Sequence, residues 1–283
     1  MTYRELLQEG ESALALAGVP EPGLDAWYLL SRAFSVDRVH YLMDKNRPLS
    51  EKDTAENCRI YRAMLDKRGQ RIPLQHILGD QEFMGLTFGV NEHVLVPRQD
   101  TETLVEQVLA DYRGTQPRIL DMCTGSGCIA VSLASLGGFQ QVDAVDLSPK
   151  ALEVAEKNAV RNGCRIQFLK GDLFSPVDGH YDVIVSNPPY IPSEEIEVLE
   201  PEVRDHEPRL ALDGSADGLA FYRRLSKEAG RYLKDGGRIY FEIGCDQAAD
   251  VSGLLAAEGF EQIIVVKDAA GLDRVVKAAW KVM

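Results

Sequence analysis

Asn187-Pro188-Pro189-Tyr190 places a carboxamide, two rings that lack an N–H and a phenol in four consecutive residues. It follows the apolar run Tyr181-Asp-Val-Ile-Val-Ser186, whose length and β-branched content predict a short buried strand. Proline cannot donate to a sheet ladder, so the strand must stop there. The turn beyond it offers free carbonyls, one amide side chain and one aromatic ring. That set suits the grip on a planar nitrogen nucleophile whose N–H groups need acceptors. An ordinary strand-ending turn has the same composition, so other residues must separate the two readings.

A second constellation is Asp121-Met-Cys123-Thr124-Gly125-Ser126-Gly127-Cys-Ile-Ala130, a strand end followed by a helix start. Gly125 and Gly127 allow a tight turn and close approach of backbone to a ligand, and Gly125-x-Gly127-x-x-Ala130 loosely matches the dinucleotide fingerprint. Asp146 closes the next strand, where a carboxylate can accept both hydroxyls of a ribose. Asp172 and Leu173, in Lys170-Gly-Asp-Leu-Phe174, stand after the third strand, where an adenine amino group and ring face would lie; Asp172 also reads as a plain turn residue. NAD and S-adenosyl-L-methionine (SAM) both bind as adenosine over such a loop. A diphosphate needs an unopposed helix N-terminus, and Asp121 at the mouth of the loop would oppose it. A sulfonium with an amino-acid tail tolerates the acid, which favours SAM.

These residues need a scaffold that brings strand ends together. Apolar spacing predicts helices over residues 2–18, 22–35 and from Ser50 to about Gly69, with Ser50 as N-cap and Glu51 and Asp53 in the first turn. Residues 1–75 read as a helical domain. Residues 76–93 read as a β-hairpin linker, with Phe83, Leu86, Phe88 and Val90 punctuated by Gly79, Gly85 and Gly89. Over 94–283 strands alternate with helices: Arg118–Asp121, Gln141–Asp146, Arg165–Leu169, Tyr181–Ser186, Arg238–Ile243, Gln262–Val266 and Arg274–Trp280. The clearest helix runs from Ser148 and Pro149 to Asn162, closed by Gly163. Alternation predicts an α/β fold with a doubly wound, mostly parallel sheet. Lys267–Asp273 is too short for a crossover helix, so the last two strands should pair antiparallel, giving seven strands with one reversed.

Composition narrows the setting. The 283 residues are 45% hydrophobic, with no apolar run long enough to span a membrane, and the amphipathic, acidic start is unlike a targeting peptide. Five cysteines, an odd number without C-x-x-C pairing, predict reduced thiols in the cytoplasm and no metal site. A net charge of −13 disfavours a broad nucleic-acid surface. Residues 191–217 hold nine acids against Arg204 and Arg209. Such a run is most often a solvated loop; bordering a substrate site, it would favour a basic protein.

With Asp121…Gly125-x-Gly127, Asp146 and Asn187–Tyr190 in this order, the chain resembles class I SAM-dependent methyltransferases. More narrowly it resembles the HemK/PrmC family of release factor glutamine methyltransferases. Four further segments carry that likeness: Pro73-Leu-Gln-His-Ile-Leu-Gly79 with Phe83-x-Gly-Leu-x-Phe88; Val96-Pro-Arg-Gln-Asp-Thr-Glu102; Glu207-Pro-Arg-Leu-Ala-Leu212 through Asp217-Gly-Leu-x-x-Tyr-Arg223; and Phe241-Glu-Ile-Gly244. Cys123 and Gln99 stand where family members often carry Gly and Pro. The resemblance implies N5-methylation of the glutamine in the Gly-Gly-Gln motif of class I peptide chain release factors, with SAM as methyl donor and the helical domain helping to hold the release factor.

In that reading Asn187, Pro188, Pro189 and Tyr190 form the catalytic and substrate-binding segment. Asn187 Oδ1 and the Pro188 carbonyl each accept one N–H of the substrate amide, and Tyr190 packs against its plane. SAM is held by Asp121, Cys123, Thr124, Gly125, Ser126, Gly127, Asp146, Asp172, Leu173 and Asn187. Arg98 joins the substrate pocket; Arg98, Glu102 and Glu242 are equally readable as ion-pair partners. His180 and His206 read as surface residues. A nucleic-acid amino methyltransferase shares the Asn-Pro-Pro-Tyr turn, but flipping a base needs phosphate anchoring, and neither a basic stripe nor a recognition insertion is visible.

Overall fold

The computed structural model describes residues 1–281, and the side chains of 51–54 lie outside the description, so the expected first-turn roles of Glu51 and Asp53 do too. In chain order the elements are helices α1 (Tyr3–Leu16), α2 (Pro22–Phe34), α3 (Arg38–Asp44), α4 (Glu51–Gly69) and α5 (Leu74–Leu78), then the hairpin β1 (Asp80–Phe83) and β2 (Leu86–Gly89). There follow α6 (Glu102–Asp111), β3 (Arg118–Met122), α7 (Cys128–Gly137), β4 (Gln141–Asp146), α8 (Pro149–Arg161), β5 (Gln167–Lys170) and β6 (Tyr181–Ser186). The last are α9 (Ser193–Ile196), α10 (Pro201–Arg204), α11 (Ala220–Ala229), β7 (Leu233–Glu242), α12 (Ala248–Ala257), β8 (Phe260–Lys267) and β9 (Asp273–Trp280).

Two compact units result: Met1–Gly79 with Glu200–His206, and Asp80–Leu199 with Glu207–Met283. The first is built on α1, whose Thr2 and Glu5 cap each other reciprocally, at 3.2 and 2.8 Å. Leu6 and Leu14 of α1 pack with Ala26, Leu29 and Leu30 of α2 and with Tyr61 and Leu65 of α4. Arg68 is buried and donates to Asp25 (2.6 Å), to the Ile72 carbonyl and to Glu202 (2.7 Å), while Arg71 binds Glu202 and Glu200. Against its own burial, Glu202 is held down to about 2 by Arg71 and Arg68. A segment drawn from the acidic stretch is thus an integral part of the helical unit.

The second unit is a seven-stranded sheet in the order β5-β4-β3-β6-β7-β9-β8, with β9 antiparallel to both of its neighbours and the other pairs parallel. This is the class I SAM-dependent methyltransferase sheet, with the reversed strand that the short Lys267–Asp273 connection requires. Ser148 caps α8 as its position predicts, accepting from Ala151 N at 3.2 Å. One face of the sheet packs Tyr222 and Leu225 of α11 and Val251 and Leu255 of α12; the other packs Leu104, Val105 and Val108 of α6 with Ile129, Val131 and Leu133 of α7. The hairpin adds Phe83 and Phe88 to that second layer, their rings 5.9 Å apart edge to face.

Two expectations needed correction. β7 begins at Leu233, earlier than Arg238, because a register shift opposite Tyr181 and Val183 lets the Gly236-Gly237 pair pass through the strand. The short helix α3 has no counterpart in the sequence reading, since its Val39, Leu42 and Met43 are exposed and break the apolar periodicity of a buried face.

Candidate active site

β3, β6 and β7 run side by side, so their carboxyl ends deliver Cys123, Asn187 and Glu242 to neighbouring positions. The register pairs Met122 with Ser186 and Ser186 with Phe241, one residue before each. Ser186 Oγ donates to the Met122 carbonyl at 2.7 Å and locks the two strand ends together.

The loop after β3 is fixed by backbone geometry. Thr124 N donates to the Val145 carbonyl (3.0 Å) and Gly127 N to the Thr124 carbonyl (2.8 Å). Gly127 lies at φ +79°, and a Cβ there would stand 3.0 Å from Ala155 Cβ, so α7 can approach α8 this closely only with glycine. Asp146 accepts from Gly125 N through Oδ2 and from Ser148 N through Oδ1, both at 2.8 Å. Burial nevertheless raises its pKa, the backbone donors opposing. Asn158 on α8, buried, donates to the carbonyls of Gly89 and Ser126 and accepts from Gly89 N, tying the hairpin and the loop to one helix.

Asp121 sits below this loop, fully buried. Its Oδ2 accepts from Thr124 Oγ1 (2.6 Å) and Ala130 N (3.3 Å), and its Oδ1 has no partner among the described residues. Burial, only partly offset by Thr124 and Ala130, lifts its pKa to about 7.

A cleft in the second unit gathers most of the residues singled out from the sequence. Cys123, Thr124, Gly125, Ser126, Asp146, Asp172, Leu173, Asn187, Pro189 and Arg98 all line it. Asp121, Gly127, Pro188 and Tyr190 do not. Asp121 and Gly127 stand behind the loop that they shape. Pro188 is buried, and Tyr190 packs against the main core with its hydroxyl towards Glu242. In this structure Tyr190 supports the turn from the core side. Asp172 is half-exposed and its Oδ2 accepts from Arg224 at 2.8 Å, so an adenine amino group would share that carboxylate.

The charged residues have these surroundings. Arg98 lines the cleft and also donates to the buried Glu207 at 2.8 Å, while Glu207 Oε1 accepts from Val96 N. Burial raises the Glu207 pKa even with Arg98 beside it. Glu102 accepts from Met84 N (2.6 Å) and serves the hairpin turn. Glu242 is buried at the end of β7; burial lifts its pKa to about 7, with Thr101, Arg274 and Tyr190 opposing. The acidic stretch is largely neutralised: seven of its nine acids pair with arginines, among them Glu197 and Asp213 with Arg209, Glu207 with Arg98 and Asp217 with Arg223. Its charge count therefore overstates the field it projects.

Sequence reasoning missed Thr101, Asn158 and Gln247. Asn187 Nδ2 donates to Thr101 Oγ1 at 3.3 Å. Gln247 Nε2 donates to the Tyr190 carbonyl (3.0 Å) while its Oε1 accepts from Gly244 N, which pins the end of the turn. Thr101 belongs to the Val96–Glu102 motif; for Asn158 and Gln247 the chain carries no local signal.

Comparison with known proteins agrees with this geometry. The PrmC N-terminal domain family matches residues 5–79 and the methyltransferase small domain matches 98–215. The release factor glutamine methyltransferase of Geobacter sulfurreducens is 44% identical, covering 97% of this chain and 95% of that protein. The chain belongs to the release factor glutamine methyltransferase family. A second member, from Moorella thermoacetica, is 43% identical over 97% of both chains. The methyltransferase structure from Pyrococcus furiosus superposes with a TM-score of 0.53 at 20% identity, covering 71% of this chain and 91% of that one, and shares the fold. For a family member, the meeting of Asn187 and the glycine loop on one cleft is the central geometric fact.

Proposed function

We propose that the chain transfers a methyl group from SAM to the side-chain nitrogen, N5, of the glutamine in the Gly-Gly-Gln motif of class I peptide chain release factors, tuning translation termination. What carries the reading is Asn187 on the same cleft wall as Gly125 and Asp146, in a chain so similar over its length to named glutamine methyltransferases. No helix among the described residues is long and apolar enough to cross a membrane; a cytoplasmic setting belongs to the same proposal.

The cleft suits the cofactor. Asp146 has its carboxylate oriented by two backbone donors and keeps lone pairs for ribose hydroxyls. A Cβ at Gly125 would meet nothing within 4 Å, leaving the loop open to a ligand. Asp121 Oδ1 lacks a partner beneath a loop that would face a cation. When bound, SAM supplies a methyl group made electrophilic by its sulfonium. Cys123, Thr124, Ser126, Leu173 and Asp172 complete the walls around it.

A carboxamide nitrogen is a poor nucleophile because its lone pair is delocalised into the carbonyl. Asn187 Oδ1, on the cleft wall, accepts one N–H of the substrate amide, and the carbonyl of Pro188, whose ring is buried behind that wall, accepts the other, so the nitrogen is aimed and drawn towards tetrahedral geometry. Pro188 and Pro189 hold the backbone with little freedom to reorganise. Such alignment supplies roughly 7–11 kcal/mol in favourable cases. After transfer the methylated nitrogen sheds its proton to water, and no general base is required beforehand.

The test compares acceptors. With labelled SAM, the full chain should methylate intact release factor and leave DNA and ribosomal RNA unlabelled. Preferential label on nucleic acid would replace this reading with that of a base amino methyltransferase.

A further inference from the structure

Asn187 can serve as an acceptor only if its carboxamide points the right way round. An amide presents oxygen on one side and NH2 on the other, and the flipped form would set donor against donor at the substrate nitrogen. The structure fixes the choice through Thr101. Asn187 Nδ2 donates to Thr101 Oγ1 at 3.3 Å, which leaves Oδ1 to the cleft. Thr101 is 2% exposed, so its hydroxyl proton needs a buried acceptor of its own.

That acceptor is at hand. Glu242 is also 2% exposed and follows directly the β7 residue paired with Ser186, next to the start of the Asn187 turn. Thr101, Arg274, Asp100 and Tyr190 are the polar and charged groups that bear on its carboxyl, Thr101 most strongly. Glu242 Oε2 has no hydrogen-bond partner among the described residues and retains acceptor capacity.

We propose that Thr101 and Glu242 are positioning residues for methyl transfer: Glu242 accepts a hydrogen bond from the Thr101 hydroxyl, Thr101 accepts one from Asn187 Nδ2, and the relay holds Asn187 Oδ1 towards the substrate amide. The inference rests on the methyl-transfer reading of Asn187 and adds what orients it. Thr101 lines the same cleft as the glycine loop, but its hydrogen bond is to Asn187, so the relay acts on the acceptor amide and not on SAM affinity.

Thr101→Val keeps the shape of the side chain and removes the hydroxyl; Thr101→Ser keeps the hydroxyl. Single-turnover methylation of a Gly-Gly-Gln release factor is measured beside equilibrium SAM binding for both variants and the native chain. The Val variant should transfer methyl at least tenfold more slowly with SAM affinity within threefold of native, and the Ser variant should recover to within threefold. A Val variant within threefold of the native rate overturns the relay. So does equal impairment of both variants, or a loss of SAM affinity parallel to the rate, either of which marks Thr101 as support for the fold alone. A native chain unable to methylate the release factor would instead remove the underlying functional reading.

Discussion

The two walls of the cleft are built differently. The glycine-loop wall is made of backbone: Thr124, Gly125 and Gly127 are held by hydrogen bonds to β4 residues or within the loop, and Asp146 is oriented by two amides. The Asn187 wall is made of side chains reaching across the sequence, with Thr101 86 residues away and Gln247 57 residues from Tyr190. Backbone suits the binding of a cofactor whose shape does not change between turnovers. Side-chain relays suit the control of one amide's orientation. The first wall should therefore govern SAM affinity, and the second should govern rate.

Asn187→Ala tests the distinction hardest. It should lower the methylation rate by on the order of 10²-fold or more, the scale of losing one preorganised hydrogen-bonding group, with SAM affinity little changed. Single-turnover kinetics with a SAM titration checks it; a matching fall in SAM affinity would merge the two walls. Asp146→Ala should do the reverse, weakening SAM roughly tenfold or more, about 1.4 kcal/mol per tenfold, with much of the rate regained at saturating SAM. Unchanged affinity would remove Asp146 from the ribose role.

The smallest effect concerns the buried carboxyls that underlie the walls. Asp121 and Glu242 both have pKa values lifted to about 7 by burial. A carboxyl whose folded pKa exceeds its unfolded value, near 4, binds its proton more tightly in the folded state. Its contribution to stability is therefore full below pH 4 and is lost as pH rises through about 7. Thermal unfolding of the protein without ligand should show part of the stability disappearing between about pH 4 and pH 7, and Asp121→Asn should make that fall shallower. An Asn variant with the native slope would show that Asp121 carries no such linkage.

This contrast also explains what could be read from the sequence. The loop around Gly125–Gly127, the Ser148 cap and the order of strands follow from local constraints, and they appear where those constraints put them. The adjacency of β6 and β3, and with it the meeting of Asn187 and the glycine loop, follows from the doubly wound topology. Thr101, Asn158 and Gln247 reach partners 32 to 86 residues away, and those partners carry no local signature. The core packing of Tyr190 is hidden for the same reason: nothing nearby in sequence shows that the main core lies behind it. The acidic run 191–217 looked more like a field than it is in part because three of its arginine partners, Arg68, Arg71 and Arg98, stand more than a hundred residues earlier in the chain.

The most direct test is to incubate intact release factor with this protein and SAM and to locate the added methyl group by fragmentation mass spectrometry, with Asn187→Ala in parallel. One methyl group on the side-chain nitrogen of the Gly-Gly-Gln glutamine, absent with the variant, is the predicted result. A methyl group on any other residue, an unmodified glutamine with the native protein, or an equal yield from Asn187→Ala would contradict the account.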